Sequence, residues 1–155
     1  MADAPYGRTF AMPKFCLILA VLLLAPVLAR AEVLTAEQAQ ALAARGALTI
    51  VDVRLPVEWA TTGLPEGAQG VALQDSLTHQ LRPGFLDDVL RAVGGDRDRP
   101  IALICARGNR SAFARDLLAA AGFTRVEHIG EGVLGGAGGP GRLARGLPTE
   151  PCKVC

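Results

Sequence analysis

The sequence predicts an α/β fold in which a mostly parallel central sheet is covered by helices. Two observations carry this expectation. Short apolar or β-branched runs alternate along the chain with helical patterns, the order expected of strands joined by crossover helices. The run Pro100-Ile101-Ala102-Leu103-Ile104-Cys105 is also apolar on both faces, as a strand between two helical layers must be.

The elements follow in order. Thr35-Ala36-Glu37-Gln38 fits a capping box opening an Ala-rich helix to about Arg45, closed by Gly46. Leu48 to Val53 is a short β-branched run and reads as a buried strand. Pro56 starts a helical turn through Trp59. Gly63, Pro65 and Gly67 mark a loop, and Gln69 to Leu73 reads as a second strand. Pro83 to Val93 reads as a helix with Leu86, Leu90 and Val93 as its buried stripe, stopped by Gly94-Gly95-Asp96. After the strand ending at Cys105, Ala106-Arg107-Gly108-Asn109 forms a tight loop. Arg110 to Ala121 is a helix turning Ala114, Leu117, Leu118 and Ala121 inward. Gly122 caps it and Thr124 to Ile129 makes another strand. Residues 130–141 then hold seven glycines.

Ahead of the first helix, Arg8 and Lys14 precede an apolar run from Phe15 to Leu28, followed by Ala29-Arg30-Ala31. Basic start, short apolar middle and small residues at the cut are the order of a secretory signal. The run spans 14 residues and holds Pro26, whereas a membrane span needs roughly 20. The expected organisation is a cleaved signal over 1–31, a single domain over 32–149, and a short tail over 150–155. Met12 is an alternative start.

Half of the 155 residues are apolar, so a packed core is available. The formal charge is +1, and residues 1–31 carry three basic residues and one acid; beyond them 13 basic residues face 14 acidic. A nearly neutral domain with few aromatics excludes the basic stacking platforms of nucleic-acid binders. The expected location is the periplasm, with no membrane contact after cleavage, as a monomer.

Beyond residue 31 the cysteines are Cys105, Cys152 and Cys155, an odd number that leaves a thiol over after pairing. Cys105 stands at the carboxyl end of a parallel strand, where open α/β sheets place their ligands. The amides of Ala106 to Ser111 are placed to converge on an anion, with Gly108 free to take positive φ. The following helix adds its N-terminal partial charge, and Arg107 and Arg110 add full ones. All favour a nucleophilic thiolate.

The stretch Cys105-Ala106-Arg107-Gly108-Asn109-Arg110-Ser111 resembles the active-site loop of the rhodanese family of sulfurtransferases. Ile50-Val51-Asp52-Val53-Arg54, Glu58-Trp59 and Gly63-Leu64-Pro65-Glu66-Gly67-Ala68 are similar to its first signature, and Gly122-Phe123, Val126, the turn from Gly130 and Gly146-Leu147-Pro148 to its end. The resemblance covers Leu34 to Pro148 and is greatest for small exported single-domain members. Leu64 stands where the family often has His, and Arg142 where an aromatic is usual. The C-x4-R spacing of Cys105 and Arg110 is shorter than the C-x5-R of related phosphatases and suits a persulfide sulfur.

The resemblance implies the rhodanese-like fold with helices on both faces of the sheet, and two-step sulfur transfer. Cys105 would take sulfane sulfur from thiosulfate or another small sulfur-containing anion and pass it to a thiol or cyanide. No cofactor and no metal is implied. Arg107 would hold sulfonate oxygens and Arg110 would brace the loop, while Asp52 and Arg54 would play a supporting part. The alternative is a non-catalytic sulfur-carrier or protein-binding module on the same fold.

Two further signals remain. Gly130-Glu131-Gly132-Val133-Leu134-Gly135 spells G-x-G-x-x-G, but the 20 residues after it lack the second strand and acid of a dinucleotide site. Cys152-Lys153-Val154-Cys155 reads in three ways: a tail with a local disulfide or idle thiols, a redox pair serving Cys105, or part of a shared metal site. His79 and His128 are too isolated to read as ligands.

Overall fold

The computed structural model describes residues 33–153 and 155; the secretory signal expected over 1–31 lies outside the described residues. Among these, the elements run β1 (Val33–Leu34), α1 (Ala36–Ala44), β2 (Thr49–Asp52), α2 (Pro56–Thr62), β3 (Leu64–Pro65), β4 (Gln69–Gly70), α3 (Phe85–Ala92), β5 (Ile101–Ile104), α4 (Asn109–Ala120), β6 (Val126–Ile129) and β7 (Thr149–Glu150). The main sheet has the order β1-β6-β5-β2-β4, and every neighbouring pair is parallel. A small antiparallel ribbon joins β3 to β7.

The strand alternation sorts the core into two layers. Val51, Val53, Ile101, Leu103 and Cys105 pack with Phe85, Val89 and Val93 of the α3 region and with Ala114 and Leu118 of α4. Ile50, Ala102 and Ile104 point the other way and pack with Ala36 and Ala39 of α1. Helices therefore cover both faces of a sheet buried throughout its centre, as its apolar runs require.

The capping box at α1 forms as read: Gln38 N donates to Thr35 Oγ1 at 3.2 Å, and Thr35 N donates to Gln38 Oε1 at 2.8 Å. Other elements differ from the sequence reading. The turn at Pro56 is a full helix through Thr62. β4 ends at Gly70, although Val71 and Leu73 still donate to the carbonyls of Asp52 and Val53. α3 starts at Phe85, and its buried stripe is Phe85, Val89 and Val93; Leu86 is exposed and Leu90 half-buried. The observed stripe starts one residue earlier, at Phe85 and Val89, and meets the expected one at Val93; the larger Phe85 takes the core. Leu64–Pro65, read as loop, and Thr149–Glu150, at the junction read as domain and tail, are strands because they pair with each other.

Candidate active site

Cys105 immediately follows β5 and keeps the alternation of that strand, so its side chain lies on the α3–α4 face. The residue is 1% exposed. The amide of Gly108 donates to its sulfur at 3.2 Å. The thiol donates to Ser111 Oγ at 3.5 Å, and the Ser111 hydroxyl donates in turn to the Gly108 carbonyl at 2.9 Å. Gly108 is the N-cap of α4 with φ +94°, and a Cβ there would stand 2.2 Å from the Gly130 carbonyl oxygen. Only glycine meets both demands. The sulfur thus sits at the positive end of a 12-residue helix with a backbone donor aimed at it.

Ala106 is half-buried, whereas Arg107 and Asn109 are exposed at the outer side of the loop. Arg107 Nη1 donates to the Gly135 carbonyl at 3.2 Å. Arg110 does not stand over the sulfur as a free charge. Its guanidinium makes a two-pronged pair with Glu58 of α2, Nη1 to Oε2 at 2.8 Å and Nη2 to Oε1 at 2.7 Å. The Leu55 amide also donates to Glu58 Oε2, at 2.8 Å. Burial works against the Glu58 carboxylate, but the bonds from Arg110 and Leu55 hold its pKa below the usual value. Arg110 is held above its ordinary range, chiefly by the hydrogen bond to Glu58, with the field of Cys105 adding to it. Glu58 entered the sequence reading only as part of a signature. Its position in the first turn of a Pro-started helix marked it as a cap, but nothing in the local sequence marked Arg110 as its partner.

Asp52 and Arg54 form an ion pair buried from solvent, with Arg54 Nη2 2.6 Å from Asp52 Oδ2. Arg54 also donates to Thr62 Oγ1 and to the Gly63 carbonyl, each at 2.7 Å. The pair locks the end of β2 to the end of α2 and turns no group toward Cys105.

The glycine-rich segment is the back wall of the site. Val133 N donates to the Cys105 carbonyl and Leu134 N to the Ala106 carbonyl, both at 2.9 Å. A Cβ on Gly132 would stand 2.5 Å from Ala106 O and 2.7 Å from Arg107 N. Glu131, 1% exposed, anchors the wall. It accepts from Ala36 N at the start of α1 at 2.6 Å, from Gly141 N at 3.0 Å and from Arg145 Nε at 2.8 Å. Arg142, at the aromatic position of the family pattern, is fully buried and donates to Gln40 Oε1 at 2.6 Å and to the Pro148 carbonyl. Sequence reasoning missed Glu131 because it lay inside a motif judged to be chance.

Cys152 and Cys155 form a disulfide, and among the described residues Cys105 is the free cysteine. Among the described residues no group of His, Cys, Asp and Glu side chains is arranged to hold a metal ion. None of their helices is long and apolar enough to cross a membrane.

A family model described as the rhodanese-like domain matches residues 35–135. Among solved structures, the chain is similar to a thiosulfate sulfurtransferase from Pseudomonas aeruginosa, with a TM-score of 0.59, 23% identity, and coverage of 78% of this chain and 20% of that one. A rhodanese-like domain from the Anabaena sp. Alr3790 protein gives 0.57 at 24% identity, covering 77% of this chain and 79% of that one. The polysulfide-sulfur transferase homodimer from Wolinella succinogenes gives 0.56 at 22%, covering 78% and 79%. At these identities the solved structures establish a shared fold.

Proposed function

The chain belongs to the rhodanese-like domain family, and from that premise we propose that it is a sulfurtransferase working through a persulfide on Cys105. The observation that carries this reading is the placement of a free cysteine sulfur 3.2 Å from the Gly108 amide, at the N-terminus of α4. A thiolate is the nucleophilic form of cysteine, and that setting is suited to it.

In the first half-reaction the Cys105 thiolate attacks the outer sulfur of thiosulfate or of a similar anionic donor. The donor S–S bond breaks and sulfite leaves with the bonding pair. The sulfane sulfur, now bonded to Sγ, carries negative charge at the helix N-terminus, where backbone amides favour it. In the second half-reaction a thiolate or cyanide attacks that outer sulfur, and Cys105 leaves as thiolate. Arg107, exposed beside the loop, is the side chain suited to the donor's sulfonate oxygens. The Glu58 pair occupies Arg110, which favours sulfur transfer over a phosphatase mechanism that would need this guanidinium on a phosphate. Thiosulfate and polysulfide transferases among the structural neighbours support the donor class.

The test is intact-mass measurement of residues 32–155 after incubation with thiosulfate, beside Cys105→Ser. A gain of one sulfur atom, removed by cyanide and absent in the variant, is the expected result. No gain from any sulfane donor, with Cys105 alkylatable, would favour a non-catalytic rhodanese-fold module. We also propose periplasmic export through cleavage after Ala31. Expression of the full chain should then yield a periplasmic protein whose first residue is Glu32.

A further inference from the structure

We propose that the Cys152–Cys155 disulfide is a thiol–disulfide exchange site that controls the brace on α2, and through it the active-site loop. Only the effect on the loop rests on the sulfur-transfer reading above.

The placement of the disulfide suggests this role. β7 joins β3, and its Glu150 carbonyl stands where a Cβ on Gly63 would approach to 2.9 Å. The chain then brings Pro151, Cys152 and Lys153 alongside Trp59, Ala68 and Gly70, around a cavity of about 260 Å³. Trp59 belongs to α2, is 7% exposed, and has an indole N–H with no hydrogen-bond partner. Its ring also packs on Gly70, where an added Cβ would lie 3.2 Å away. Pro151, Cys152 and Lys153 are therefore one wall of the cavity beside the central residue of α2. One residue before Trp59, Glu58 holds Arg110 of the catalytic loop, and at the end of the same helix Thr62 and Gly63 hold Arg54.

Direct exchange with Cys105 is not the role this arrangement supports. Asp52 pairs with both Gly70 and Ile104, so the three lie in one row across the sheet. Gly70 and Ile104 are two strands apart, about 10 Å. Cys105 points to the α3–α4 face, whereas Gly70 and Trp59 lie on the face that Asp52 shares with Ile50 and α1. The sheet stands between the two sulfur sites.

Access favours an external reductant instead. Cys155 and Lys153 are exposed and Cys152 half-buried, while Cys105 is buried. The attacking species is the thiolate of a dithiol reductant, drawn to a sulfur beside the Lys153 charge. It attacks one sulfur of the pair, the Cys152–Cys155 bond breaks, and the other cysteine leaves as thiolate. The second thiol of the reductant then attacks the mixed disulfide and releases the first cysteine. The chain gains two electrons and two protons, and the reductant becomes a disulfide. With the ring open, the segment loses its closed shape, and the wall that Pro151, Cys152 and Lys153 give the cavity beside Trp59 is released.

Trp59 is the single tryptophan of the chain, so tryptophan fluorescence reports the surroundings of this residue. Disulfides quench indole emission at short range. The experiment compares the full chain oxidised, the same protein reduced with dithiothreitol and desalted, and Cys152→Ser/Cys155→Ser. The readouts are Trp59 emission and the rate at which Cys105 gains sulfur from thiosulfate. Reduction and the double substitution should each raise and red-shift the emission and slow loading, by about tenfold if Glu58 and Arg110 shift by about half an ångström. Reoxidation should restore both in the wild-type chain only. Unchanged emission would overturn the link between the disulfide and the surroundings of Trp59. Changed emission with unchanged loading would overturn the coupling to the loop. Failure of Cys105 to load in any state would end the sulfur-transfer reading and the coupling together, and the emission would still decide the exchange site.

Discussion

Cys105 shows how much one residue owes to its immediate neighbours. Its position after β5 fixes which face it occupies, and Gly108 supplies both the donor and the turn that aims it. Arg107 is an exposed charge on the loop that follows this sulfur, and its contact with the Gly135 carbonyl is a single bond that a donor anion can replace. Arg107→Ala should therefore lower the rate of loading by thiosulfate roughly tenfold, the equivalent of about 1.4 kcal/mol. Loading by an organic persulfide that lacks the sulfonate should fall less; equal losses for both donors in stopped single-turnover assays would remove Arg107 from donor binding. Asp52 and Arg54 have a different part. Asp52→Ala leaves a buried guanidinium uncompensated and should destabilise the fold by about 3–5 kcal/mol in urea titration, with Arg54→Met in the same chain recovering much of the loss.

At the scale of elements, the site is a strand end, a helix start and a wall, held together by backbone contact. The glycines of the wall, residues 130–141, permit close approach to the loop after Cys105, and Glu131 ties the wall to the start of α1. Gly132→Ala should push the loop by forcing a methyl group against Ala106 and Arg107. Sulfur loading should fall by roughly 10²-fold, the scale of an ångström misplacement. Circular dichroism and urea unfolding should show the variant still folded; wild-type loading in that variant would deny the wall its positioning role. α2 was read only as a turn, and it matters more than its length suggests. Its Pro56 start, its Glu58 cap and Trp59 belong to one short helix that holds Arg110 through Glu58 and, through Trp59, borders a cavity shared with the disulfide segment.

Across the whole molecule, His128, Glu58 and Glu131 tie stability to pH in the same direction. Burial first, and then the charge of Arg115, push the His128 pKa below its usual 6.5, an effect that Asp116 opposes. Glu58 and Glu131 are held below the usual 4.5 by their hydrogen bonds and cationic partners, although burial opposes this. As pH falls below 6.5 the unfolded chain takes up the imidazole proton before the folded one, so stability is lost until the folded pKa of His128 is passed. A second loss begins below 4.5, as the carboxylates protonate through their lowered folded values. Urea midpoints across the acid range should show both stages, and His128→Gln should remove the first and keep the second. An unaltered first stage in that variant would assign it elsewhere. What the sequence determined by itself depends on neighbours along the chain: the capping box at Thr35, the apolar run into Cys105, the Gly108 turn and the helix behind it. These came from periodicity and local backbone chemistry, which act over a few residues. Tertiary structure alone decided the partners that lie far apart, such as Glu58 with Arg110 across 52 positions and Glu131 with Ala36 across 95. It also made strands of Leu64–Pro65 and Thr149–Glu150, because a two-residue strand has too little pattern of its own and is defined by the strand it bonds to.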